Sequence, residues 1–181
     1  MKPYIKKIGR LFVLLVISTL TPTCSTMKKE IMFKNDTANL QVNDDTCPNN
    51  SGCSIEIKNG SYTMETDTIG AMYPSFTEAD GEMVSFTYHV PAKEGIVDGD
   101  YKETITFLIP AGLKGTMVLE DESLSKVKLL LNKQCFCRGQ AGYRLITKGR
   151  LAIKRSATNE VSFDLSYESP GIDLVVSSIK L

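Results

Sequence analysis

The chain has 181 residues, with 21 Lys+Arg against 21 Asp+Glu and therefore zero formal net charge; 42% are hydrophobic and 23% charged. That usage is ordinary for a globular domain and excludes a disordered tail, a collagen-like repeat and a polytopic membrane protein. A single histidine, His89, and the absence of tryptophan restrict His-dependent chemistry from the start.

The first ten residues carry Lys2, Lys6, Lys7 and Arg10 with no acid, and the apolar run Leu11–Ile17 follows, trailing to Leu20. A spanning helix needs about 20 apolar residues. A basic segment, a short apolar segment and then small polar residues instead predict a secretory signal peptide over residues 1–23. A buried amphipathic helix is the alternative, but the run is apolar on every face.

Leu20-Thr21-Pro22-Thr23-Cys24 places a lone cysteine just after the apolar run, followed by Ser25-Thr26. This resembles the signal of exported bacterial lipoproteins of the Bacteroidota type, with Thr23 where the usual box has Gly, Ala or Ser. The resemblance covers about the first 30 residues. It implies that Cys24 becomes the acylated first residue of a mature chain anchored to a membrane in the cell envelope. Several acyl chains on one cysteine hold a protein durably, whereas one does so only marginally. Ordinary secretion or periplasmic release, with cleavage near Thr23 or Thr26, is the alternative.

Loss of residues 1–23 removes four basic residues and no acid, which leaves 17 basic against 21 acidic residues and a net charge of −4. An acidic surface without a basic stripe argues against nucleic-acid binding.

Four cysteines remain: Cys47, Cys53, Cys135 and Cys137. An even number in an exported chain favours disulfides. Cys135 and Cys137 would lie about 6.5–7 Å apart on a strand, so a bridge between them requires a tight loop. The expectation is therefore two long-range bridges joining the Cys47–Cys53 loop to the Cys135–Cys137 segment, each contributing roughly 4 kcal/mol. A zinc or Cu(I) site, or a thiol-redox function, on the same four residues is the alternative. Neither pair has the C-x2–4-C spacing of structural zinc.

Residues 24–46 read as a polar tether, in which Ile31-Met32-Phe33 could begin a first strand. Residues 47–181 read as one all-β domain. Ser54–Lys58 and Ser61–Thr66 alternate on either side of Asn59-Gly60, which predicts a two-residue hairpin turn. Asp80-Gly81 predicts another turn. Met83–Val90 then sends Val84, Phe86, Tyr88 and Val90 to one face until Pro91 stops the strand. Val97–Asp100 reads as a loop, and Tyr101–Ile109 directs Ile105, Phe107 and Ile109 inward before Pro110. Gly112 and Gly115 lead to Thr116–Leu119.

Residues 121–133 fit both periods. Leu124, Val127, Leu130 and Leu131 have helical spacing, while Val127, Leu129 and Leu131 alternate as a strand. The β-rich surroundings favour the strand, with one short helix as the alternative. Tyr143–Ile146, Leu151–Lys154 and Glu160–Tyr167 resume the alternation, joined through Gly149 and Ala157-Thr158-Asn159. After Pro170-Gly171, Ile172–Val176 leads to Ile179-Lys180-Leu181. About eight to ten short strands at this spacing predict a single antiparallel β-sandwich or barrel-like domain.

No nucleotide-binding glycine loop, metalloprotease helix or nucleophile elbow is present in the sequence. His89 lies on the face opposite Phe86 and reads as a solvent-side strand residue. A cryptic hydrolase would have to pair it with Ser85, Asp98 or Asp100, and nothing selects among them. The acids at Glu78/Asp80/Glu82 and Glu120/Asp121/Glu122, and the Asx/Gly segments at Asp44-Asp45, Asn49-Asn50 and Asp98–Asp100, read as solvated turns rather than glycosidase or Ca²⁺ sites. Asn35, Asn49 and Asn59 match glycosylation sequons but read as turn residues. No catalytic residue, metal or cofactor is implied. The balance shifts to binding: a tethered exported β-domain presents loops or a concave face to a protein, glycan or small molecule. Tyr73 and Phe76, and Phe136 with Arg138, are the contact candidates. Alternatively, these aromatics cap the ends of the core.

Overall fold

A computed structural model describes residues 38–40, 47–48 and 51–181, which fall in one compact unit. The expected signal peptide, Cys24 and the Ile31-Met32-Phe33 segment lie outside the described residues. Ten strands are present among the described residues, and every pairing is antiparallel.

Alternation dictates two facing sheets. One sheet holds β1 (Ala38–Leu40), β2 (Gly52–Thr66), β3 (Met72–Val90), β4 (Tyr101–Ile109), β6 (Leu130–Gln134) and β7 (Gly142–Leu145), in the order β1-β2-β3-β4-β6-β7. The other holds β5 (Gly115–Glu120), β8 (Lys148–Arg155), β9 (Val161–Glu168) and β10 (Ser178–Lys180), in the order β10-β9-β8-β5. The inward residues of β3 and β4 (Val84, Phe86, Ile105, Phe107) meet Leu151, Ile153, Phe163 and Leu165, all at most 3% exposed. Phe107 and Phe163 make an edge-to-face pair at 5.1 Å, a favoured arrangement for buried rings. This is a sandwich, not a closed barrel.

Two expected turns are not turns. β2 runs unbroken through Asn59-Gly60, and β3 through Asp80-Gly81. The chain reverses instead between Thr66 and Met72, where Asp67 accepts the Ile69 and Ala71 N–H groups at 2.9 and 2.8 Å. The two glycine signals lie opposite one another. Asn59 pairs with Glu82 and Ser61 with Thr77, so Gly60 alone faces the four residues 78–81. An excess of residues on one strand makes a bulge, which bends the ladder and increases its twist. A Cβ on Gly60 would approach the Thr77 carbonyl oxygen to 3.3 Å, at a backbone φ of 155°. Sequence signals for a turn and for a bulge use the same residues, because both need glycine's backbone freedom.

Residues 121–133 change period midway. A 3₁₀ helix over Asp121–Val127 buries Leu124 and Val127, Lys128 adopts the left-handed conformation, and β6 begins at Leu130. The strand expectation therefore fails over residues 121–127, where the helical alternative holds. Leu129, Leu130 and Leu131 are each at most 1% exposed, so both faces here are covered. A strand covered on both faces reads as an unbroken apolar run, and that obscured the period.

Ile172–Val176 is not a strand. The N–H groups of Val175 and Val176 turn instead to the buried carboxylate of Glu103, at 3.1 and 3.2 Å.

The bridges are local: Cys47–Cys53 and Cys135–Cys137, with Cα separations of 5.8 and 5.2 Å. The long-range pairing is thereby corrected, and strand order supplies the reason. Cys53 pairs with Tyr88, Tyr88 with Glu103 and Glu103 with Lys133. Three strand spacings separate Cys53 from the β6 end, about 14 Å, well beyond the reach of a disulfide. β6 ends at Gln134, so Cys135 and Cys137 lie in a bend, the tight loop that a local bridge requires.

Candidate functional site

The bulge turns the distal half of the β2–β3 hairpin, Ser61–Thr77, into an arm lying over the outer face of the six-stranded sheet. Tyr62 is fully buried there against Met83 and Leu130. Its hydroxyl donates to the Lys128 carbonyl, and the Lys128 Nζ donates back to the Tyr62 carbonyl at 2.7 Å. The ammonium also lies 5.8 Å from the centre of the Tyr62 ring. Burial pushes the Tyr62 phenol well above its ordinary pKa. A reciprocal pair of hydrogen bonds therefore clamps the arm to the turn before β6.

Between arm and sheet runs a groove of about 480 Å³. Its floor comes from the outward positions of β3, β4 and β6: Ser85 and Thr87, Thr104 and Thr106, and Asn132. The hydroxyls pair across strands, Ser85 with Thr106 at 3.3 Å and Thr87 with Thr104 at 3.4 Å. Phe76, packed on Tyr62 at 5.8 Å between ring centres, lines the groove, as does Tyr143 of β7, which packs against the Tyr62, Met83 and Leu130 cluster. Glu56 and Lys58 form an ion pair at 3.5 Å among the lining residues, and Glu78 is exposed. The result is a concave, hydroxyl-rich floor with two aromatic rings, Phe76 and Tyr143, among its lining residues.

Of the four contact candidates, Phe76 lines this groove and is 56% exposed. Tyr73 is on the same arm, 40% exposed, and its hydroxyl donates to Glu65 at 3.0 Å. That carboxylate raises the Tyr73 phenol pKa. Phe136, 99% exposed, lines a separate hollow of about 470 Å³ with Ile96, Asp100 and Cys135. Arg138 is exposed in the same loop. The candidates therefore divide between two places, and Phe76 packs on the buried Tyr62.

Asn132 and Tyr143 did not stand out in the sequence. The usable signal was the outward register of β3 and β4, where hydroxyl residues recur at every second position. Its meaning depended on an arm that the expected Asn59-Gly60 turn would have eliminated.

His89 faces outward, as expected, and its Nε2 lies 3.0 Å from Asp100 Oδ2. The Ala92 N–H donates to Asp100 Oδ1 at 2.8 Å and, with His89 second, holds that carboxyl below the usual carboxylate range. Ser85, four residues back on the same face, bonds to Thr106. Among the described residues no group of three or more His, Cys, Asp or Glu could hold a metal ion. A third hollow, of about 750 Å³, lies at the end of the sandwich around Asp80, Lys114 and the Glu82–Arg155 ion pair.

Comparison of the chain with protein-family models, with curated proteins and with solved structures returns no match in any of the three.

Proposed function

We propose that this protein is an exported, lipid-anchored module of the bacterial cell envelope that binds its ligand without transforming it. Anchoring through Cys24 rests on the basic, apolar and small-polar succession of residues 1–26. The observation that carries the binding reading is the groove beneath the folded-back arm. It has the size of a small-molecule site, and its walls are fixed by the Tyr62–Lys128 clamp rather than by a free loop. Preformed walls reduce the ordering cost of binding.

The test is chemical-shift mapping on the isotope-labelled mature protein, titrated with a panel of oligosaccharides and short peptides. The expected result is perturbation concentrated at Ser85, Thr104, Asn132, Tyr143 and Phe76. Perturbation confined to other surfaces for every compound would overturn the reading. In parallel, Cys24→Ala is expected to move the protein from the membrane fraction to the soluble one. An unchanged fractionation, with no acyl mass on the wild-type N-terminus, would remove the anchor.

A further inference from the structure

The chemistry of the groove narrows its occupant, and this step rests on the binding reading above. We infer that the groove takes a neutral oligosaccharide, with Phe76 and Tyr143 as the two stacking surfaces.

Each floor hydroxyl has one donor hydrogen and two acceptor lone pairs. The pairs Ser85–Thr106 and Thr87–Thr104 engage only one contact per hydroxyl. All four hydroxyl residues line the groove, as does Asn132, whose amide can both donate and accept. Such a floor offers donors and acceptors side by side, and sugar hydroxyls, which likewise do both, are its complement. A purely apolar ligand would leave the remaining hydrogen-bonding capacity of these groups unmet.

The charges argue against an anionic ligand. The floor itself carries none. Glu56 and Lys58 satisfy one another at the side, and Glu78 adds only a negative charge at the exposed edge. An anion would meet that repulsion, and among the described lining residues the one cation, Lys58, is already paired with Glu56.

A peptide strand is less well matched. It would lie on a sheet face, where the ladder's N–H and C=O groups already point sideways into neighbouring strands. A sugar ring presents C–H faces above and below with hydroxyls at its edge. Aromatic rings beside a hydroxyl floor suit that shape, because an exposed aromatic face supplies apolar area while the edge stays hydrated.

Calorimetry on the mature protein, kept in a sugar-free zwitterionic detergent, tests this with four probe classes. These are neutral tetrasaccharides (cellotetraose, maltotetraose, chitotetraose), an anionic tetragalacturonate, a cationic chitosan tetramer, and uncharged hexapeptides. At least one neutral tetrasaccharide is expected to bind, with Phe76→Ala and Tyr143→Ala each weakening it about tenfold. Phe76→Tyr should retain binding and Phe76→Leu should lose it, which separates a stacking ring from mere apolar bulk. A melting temperature within a few degrees of wild type for Phe76→Leu keeps the comparison valid. Binding of peptides or charged sugars at the groove residues, with no neutral sugar bound, overturns the ligand class and leaves the binding reading intact. No probe perturbing the groove overturns both.

Discussion

At the scale of single residues, the most consequential side chain outside the groove is Glu103, which occupies an inward position of β4 and is 1% exposed. Its carboxylate accepts the Tyr101 hydroxyl and the N–H groups of Val175 and Val176. Lys133, 4% exposed, lies 3.9 Å from it and donates to the Asp173 carbonyl. These contacts hold Ile172–Val176 in place without a ladder. Removing one member of a buried pair leaves the other charge uncompensated. Glu103→Ala is therefore expected to cost about 3–5 kcal/mol in chemical denaturation, and Glu103→Gln clearly less. Equal losses for the two would show that the charge has no part. None of this was legible in the sequence: Glu103 and Lys133 fell on strands where alternation alone gives them no distinction, and Ile172–Val176 reads as a strand on apolar content.

At the scale of elements, the bulge and the bridges illustrate one physical point. Local signals report what the backbone can do at a position, and the partner strand decides which use is made. Asn59-Gly60 can turn or bulge; pairing of Asn59 with Glu82 and Ser61 with Thr77 selects the bulge. Gly149 behaves similarly. It sits inside β8 with φ 137°, where any Cβ would overlap the Ser166 carbonyl oxygen, so its role is close approach to β9. Cys135 and Cys137 can bridge distantly or locally, and the three strand spacings from β2 to β6 leave only the local choice. Short loops constrain an unfolded chain less than long ones. Reduction of both bridges is therefore expected to cost about 2 kcal/mol for each, against roughly 4 for each long-range bridge. Peptide mapping should recover Cys47 with Cys53 and Cys135 with Cys137; a peptide joining the two pairs would refute the local pattern.

At the scale of the whole molecule, three tyrosines couple the fold to pH. Burial raises the phenols of Tyr62, Tyr101 and Tyr167 well above the ordinary value, with Glu103 adding to the rise at the last two. A raised folded-state pKa favours the neutral form, so this contribution is complete below the unfolded value of about 10. It is lost as pH climbs above that. The denaturation midpoint is expected to be insensitive to these groups up to about pH 9 and to fall beyond pH 10. Phenolate absorbance from the three should rise together with unfolding. Full ionisation of every tyrosine in a still-folded protein would contradict the burial described here.

The sequence by itself determined the all-β class, an antiparallel domain of sandwich or barrel type, the bounds of β4 at Tyr101 and Ile109, the inward sets of β3 and β4, and the outward placing of His89. Each of these follows from period 2 and from where proline or glycine interrupts it, which are properties of a few neighbouring residues. Only the tertiary structure decided that the hairpin bends back on its own sheet, that the cysteines pair locally and that Glu103 replaces a ladder near the C-terminus. Those outcomes depend on what lies across a sheet or three strands away, and alternation along one strand carries no information about that distance. The groove belongs to the second group: its hydroxyls were written in the sequence, but its concavity was made by the arm.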